Sequence, residues 1–197
     1  LRLSVYETNE EDDAVIEEKI SQLKLILGDI LYSEQDDTLE ECIGRMLKEH
    51  GKTVSAAESC TGGLISSLFT SIAGSSEYYL GSVTSYANEV KTGVLEVPAE
   101  IIEKYGAVSS ECVAAMAEGV RRITGSDYSV ATSGIAGPGG GSESKPVGLV
   151  WIGVSSQNGT ETFKMIFNGD RKRNISRFAA NALNKLRIKI NKELINK

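Results

Sequence analysis

Apolar residues recur along this chain at two different periods, and the switches between them outline the fold. Across residues 12–31, Val15, Ile16, Ile20, Leu23, Ile26, Leu27 and Leu31 fall at helical spacing. The polar stretch Tyr32-Ser33-Glu34-Gln35-Asp36-Asp37 breaks that pattern and reads as a linker, so the main domain is expected to start near Asp36. Thr38 suits the N-cap of a second helix, with Glu40 and Glu41 in a first turn that favours acids, and Gly51 should end it. From there strands and helices alternate. Strands are predicted over residues 53–58, 78–86 and 128–133, and helices over 61–72, 89–95, 99–105 and 110–123. Residues 147–155 and 161–167 read as a strand pair joined through Gln157-Asn158-Gly159, a hairpin signal, and a long helix should begin near Arg171. Crossover helices between strands, plus one hairpin, predict an α/β sandwich on a mixed sheet.

Composition narrows the role. A chain of 197 residues can bury one substantial core, or one domain with an appendage. Its net charge of −6 argues against a protein devoted to gripping nucleic acid. That charge is uneven: residues 1–45 hold 13 acids and 4 bases, whereas residues 170–197 hold 2 acids and 9 bases. Two solvated helix faces would account for this, and so would a basic end that takes a phosphate. No apolar run approaches membrane-spanning length. Cys42, Cys60 and Cys112 are far apart and form no CxxC pair, so neither zinc nor a disulfide framework is indicated; a reducing, cytoplasmic setting is the expectation. The chain opens on Leu1, which we read as a start inside a longer polypeptide. There is one histidine, His50, so a histidine-based catalytic triad would have to use that residue.

Four stretches could carry chemistry. In Glu58-Ser59-Cys60-Thr61-Gly62-Gly63 a strand gives way to a helix, whose free N–H groups suit a developing oxyanion. A plain hydroxyl N-cap with packing glycines would look the same. In Tyr86-Ala87-Asn88-Glu89-Val90-Lys91, a lysine of depressed pKa could replace the missing histidine as base, with tyrosine relaying the proton. A surface lysine beside a core tyrosine is the plainer account. The loop from Thr132 through Gly137, Gly139, Gly140 and Ser142 matches neither the P-loop nor the dinucleotide fingerprint, but can still offer N–H groups to a ligand. Gly169-Asp170-Arg171 opens the last helix, where an arginine fork and the helix dipole suit a phosphate monoester, or where Asp170 simply caps. No cofactor is indicated, and no metal.

Together AAESCTGG, IAGSS, YANEVK, YGAVS, SGIAGPGGG, KPVG and GDR, in this order, resemble the C-terminal domain of the competence/damage-inducible CinA family over roughly residues 38–186. The resemblance implies a three-layer α/β/α sandwich with a mixed, mostly parallel sheet over residues 36–197. Residues 1–35 would be the tail of a preceding small linking domain. For active members it implies hydrolysis of nicotinamide mononucleotide to nicotinate mononucleotide and ammonia. By motif matching, Ser59 would be the nucleophile, with Tyr86 and Lys91 activating it. Backbone N–H groups of Cys60, Thr61 and Gly62 would hold the oxyanion. Gly137, Gly139, Gly140, Ser142 and Arg171 are the expected anchors for phosphate and ribose. Cys60 is the rival nucleophile. Two other roles stay open: a catalytically silent module that binds a nucleotide or protein partner in DNA uptake, and an oligomerisation domain, hence a homo-oligomer.

Overall fold

A computed structural model of the chain describes residues 10–195; the first nine residues of the expected linking-domain tail lie outside it, as do the last two of the chain. The described residues divide into two compact units between Asp37 and Thr38. In the first, α1 (Glu10–Leu27) runs into a 3-10 turn at Gly28–Ile30. The stripe Ile16, Ile20, Leu23, Leu27 and Leu31 is half-buried, while Leu25, Ile26 and Ile30 face solvent. A Lys24–Glu34 ion pair at 2.7 Å and a Ser33–Asp37 hydrogen bond at 2.7 Å tie down the stretch after the helix.

The second unit is built on a five-stranded sheet in the order β2-β1-β3-β4-β5. Its strands are β1 (Val54–Glu58), β2 (Tyr79–Thr84), β3 (Tyr128–Gly134), β4 (Leu149–Ser156) and β5 (Gly159–Ile166). β1 pairs in parallel with both β2 and β3, whereas β3–β4 and β4–β5 are antiparallel. Four of the five strands therefore point the same way, and β4 alone runs back. β1 is buried along its whole length because it is central and covered on both faces; Ala56 and Ala57 leave room for helices on either side. The edge strands β2 and β5 instead alternate between inward and solvent-facing positions.

Helices cover both faces. α2 (Leu39–Glu49), α3 (Leu64–Thr70) and α7 (Arg171–Leu194) pack on one side around Ile43, Leu47, Phe69, Phe178, Leu183 and Leu186. α6 (Ser110–Thr124) lies on the other, its Val113, Met116, Ala117 and Val120 against Ala57 and Ala131. The short helices α4 (Asn88–Gly93) and α5 (Ala99–Tyr105) lead into it. The structure is the three-layer α/β/α sandwich expected. α2 begins with a full capping box, Thr38 Oγ1 accepting from Glu41 N–H and Glu41 accepting from Thr38 N–H. His50 ends that helix, its Nδ1 donating to Met46 O at 2.9 Å.

Element bounds shift in one informative place. The helix expected over residues 61–72 is shorter, Leu64–Thr70, since Gly62 (φ 62°) and Gly63 (φ 101°) hold a left-handed turn ahead of it.

Candidate active site

The carboxyl ends of β1, β2 and β3 lie along one edge of the sheet, where open parallel sheets bind their ligands. Because β4 runs back and β5 forward again, β5 delivers the start of α7 to that same edge. Four stretches far apart in sequence meet there.

The turn after β1 is organised by Glu58. This fully buried side chain accepts from Thr61 Oγ1 (2.7 Å) and from the N–H groups of Gly63 (3.0 Å), Ile65 (3.0 Å) and Ser66 (2.8 Å). It thus satisfies the orphan donors of α3, whose N-cap Gly63 has no side chain to do so. Thr61 Oγ1 also bonds Thr132 Oγ1 of β3 at 2.8 Å, tying the turn to the neighbouring strand. Among the expected oxyanion donors, Gly62 N–H is committed to Ser59 O at 3.2 Å. The N–H groups of Cys60 and Thr61 donate to no backbone carbonyl among the described residues. Ser59 N–H continues the β1–β3 ladder to Thr132 O at 3.0 Å, which leaves its half-buried side chain at the mouth of the sheet.

Cys60 is a poor rival. Burial pushes its thiol up to about 12, with Glu58 adding to the rise against the opposing effects of Thr132 and Lys91, so the thiolate is not accessible near neutral pH.

Lys91 is buried, 1% exposed, on α4. Its Nζ donates to Ser85 O at 2.6 Å and to Tyr86 O at 3.3 Å, and it forms no ion pair among the described residues. Burial lowers its pKa below the ordinary lysine value, more than Cys112, Cys60 and Glu89 raise it. A neutral amine has two hydrogens and one lone pair. In that form the two carbonyls would take the hydrogens and leave the lone pair to accept a proton. No hydrogen bond joins Ser59 Oγ to Lys91 or to Tyr86 among the described residues.

Tyr86 stands apart from that pair: the residue is 65% exposed, and its hydroxyl accepts from Arg171 Nη2 at 3.3 Å. Arg171 Nη1 donates to Gly137 O at 2.9 Å, so the guanidinium joins the loops after β2 and β3. Asp170 caps α7 through Arg173 N–H at 2.9 Å. Asn174, fully buried, donates to Ala136 O (3.1 Å) and Gly169 O (2.9 Å) and docks the glycine-rich loop on the helix. Between α3 and α7 lies a cleft of about 630 Å3 lined by Thr61, Gly62, Gly63, Leu64, Arg171 and Lys172, among others, a size suited to a small molecule. Gly139, Gly140 and Ser142 are exposed and do not line it; Ser142 instead closes a local turn with Lys145.

Lys172 and Asn174 were missed as parts of this arrangement, while Glu58 and Thr132 stood in the stretches singled out from the sequence without a role of their own. The signal for the Glu58 role was an acid closing a short strand directly before a turn with two glycines.

Comparison with known proteins agrees with this architecture. The family model of the CinA C-terminal domain matches residues 36–190. A CinA-like protein of Endomicrobium trichonymphae is 47% identical over 183 residues, which is 91% of this chain and 43% of that protein. Another, from Cytophaga hutchinsonii, is 44% identical over 178 residues, covering 90% of this chain and 43% of the relative. The chain thus spans less than half the length of the curated relatives it matches. The crystal structure of the competence/damage inducible protein CihA of Agrobacterium tumefaciens superposes with a TM-score of 0.75 at 38% identity, over 78% of this chain and 93% of that one. No helix among the described residues is long and apolar enough to cross a membrane. This chain belongs to the CinA family and carries its C-terminal domain.

Proposed function

We propose that the chain is an amidohydrolase that deamidates nicotinamide mononucleotide to nicotinate mononucleotide and ammonia. Ser59 is the nucleophile, Lys91 the base, and Tyr86 and Arg171 hold the substrate. The observation that carries the reading is Lys91: a buried lysine with no ion pair among the described residues and a lowered pKa, hydrogen-bonded to the residue that follows β2, beside the end of the strand that leads to Ser59. Structural lysines buried in this way are rare, and bases are tuned in this way.

In the proposed reaction Ser59 Oγ attacks the carboxamide carbon as its proton passes toward Lys91. The N–H groups of Cys60 and Thr61 receive the oxyanion. The proton then returns to the amide nitrogen, the C–N bond breaks and ammonia leaves. Water attacks the acyl ester by the same proton route, freeing the acid and restoring Ser59. The cleft beside Arg171 and Lys172 takes the phosphate, for which a guanidinium and an ammonium at the start of α7 are suited. Tyr86 is assigned to the substrate side, since its hydroxyl faces Arg171.

The test is ammonia release from nicotinamide mononucleotide by this chain and by Ser59→Ala. Release by the parent and loss of about 10³-fold or more in the variant is expected. No release by the folded parent chain sinks the activity and favours the silent binding module, a role in keeping with the names of relatives such as the putative competence-damage inducible protein of Desulforudis audaxviator. Equal release by the variant sinks Ser59.

A further inference from the structure

Ser85 is the residue whose chemistry the site leaves unused. It follows β2 directly, is fully buried, and its Oγ has no hydrogen-bond partner. Among the described buried serines and threonines this is an exception. Ser55 pairs with Ser126, Ser129 donates to Ala117 O, Ser133 to Ala107 O, and Ser156 to Glu193. A buried hydroxyl without a partner is costly, so its presence asks for a reason.

Its position supplies one. β1 and β2 are in parallel register with Ala57 opposite Val83 and Glu58 opposite Thr84, which sets Ser85 beside Ser59 one step on. The ladder continues through that step, Ser85 N–H donating to Glu58 O at 2.8 Å. Ala57 and Val83 belong to the core on the α6 face, and strand alternation carries Ser59 and Ser85 to that face as well. On Ser85's other side, its own carbonyl accepts from Lys91 Nζ at 2.6 Å. Ser85 therefore stands between a nucleophile and a base that share no hydrogen bond of their own. Ser133, the equivalent neighbour of Ser59 on β3, is already committed to Ala107 O.

We propose that the Ser85 hydroxyl relays the proton between Ser59 Oγ and Lys91 Nζ. This rests on Ser59 being the nucleophile, and it moves Tyr86 out of the relay. As Ser59 Oγ bonds to the acyl carbon, its proton goes to Ser85 Oγ, and the proton of Ser85 goes to the lone pair of Lys91 Nζ. The reverse shift protonates the amide nitrogen as the C–N bond breaks. The missing bond is made only during reaction, in keeping with the loose hydrogen bonds of unliganded sites.

Two readouts on Ser85→Ala and Ser85→Thr test this. The first is the rate at which a phosphonyl fluoride labels Ser59, located by peptide mass spectrometry, with Ser59→Ala as the blank; here Ser59 Oγ bonds phosphorus and fluoride leaves. The second is ammonia release with kcat and KM separated. Ser85→Ala is expected to cut labelling and kcat about 10²-fold with KM unchanged, while Ser85→Thr, which keeps the hydroxyl, recovers most of both. Its unfolding midpoint should stay or rise, since the deleted group has no partner to lose. Labelling of Ser85→Ala within about twofold of the parent overturns the relay, and so does a parent chain whose Ser59 is not labelled at all. Labelling that depends on Ser85 without ammonia release overturns the nucleotide substrate and upholds the relay.

Discussion

Among the described residues two lysines of the main domain are buried, at opposite ends of the sheet, and their surroundings shift their pKa in opposite directions. Lys91 is 1% exposed and donates to the carbonyls of Ser85 and Tyr86, with no ion pair among the described residues. Lys189 of α7 is 6% exposed and holds two acids, Glu161 at 2.8 Å and Glu193 at 3.0 Å. Burial disfavours the charge on both. At Lys91 burial prevails and the pKa falls; at Lys189 hydrogen bonds and Coulomb attraction from Glu161 and Glu193 overcome burial and the pKa rises. The partners, not depth, decide the direction of the shift. A lysine whose charged form two acids favour joins β5 to α7, whereas burial disfavours the charged form of Lys91, which has no ion pair among the described residues.

Removing each amine in turn should separate the two roles. Lys91→Met is expected to lower kcat for ammonia release by about 10²–10⁴-fold. Its unfolding midpoint should move by only a few degrees, because relief of the buried amine offsets two orphaned carbonyls. In the parent, kcat/KM should rise with pH below the ordinary lysine range as Lys91 loses its proton, Cys60, Cys112 and Glu89 being the titratable groups that oppose its lowered pKa. A profile with that rising limb intact in Lys91→Met would assign the base to another group.

Lys189→Met should do the reverse, leaving activity intact and costing about 1–3 kcal/mol by denaturant unfolding. That is less than for a sealed ion pair, because the Glu161 side chain is 48% exposed. The pH dependences also differ in sign. Lys189 has a raised folded pKa, so its stabilisation is complete below the unfolded value and is lost as pH rises through the folded one. Lys91 has a lowered folded pKa; between it and the unfolded value the unfolded chain binds more protons, so stability gains with pH there. Difference curves of stability against pH for the two Met variants should slope oppositely. The smallest effect belongs to Glu161→Gln, at most about 1 kcal/mol, since Glu193 still pairs with Lys189. A loss equal to that of Lys189→Met would make Glu161 the dominant partner and reverse the ranking.

Most elements were legible in the sequence because their signals are local. Apolar periodicity marked α2, α6 and α7, the Thr38 cap marked where α2 starts, and Gln157-Asn158-Gly159 marked the β4–β5 hairpin. The start of α3 was misplaced by three residues because its cap lies outside the helix, on Glu58 of the preceding strand.

The sequence by itself determined the family, the α/β/α class and the candidate residues Ser59, Lys91 and Arg171, since each depends on residue types at short spacing. Only the tertiary structure decided what those residues can do. Glu58 became a helix cap once the fold brought α3 over the end of β1, and Lys91 a base candidate once burial lowered its pKa and left it no ion pair among the described residues. Tyr86 and Gly137 were joined by Arg171, from a helix that reaches this edge because β4 reverses the chain and β5 turns it back. Burial and strand direction belong to the folded chain, and no local stretch of sequence encodes either one.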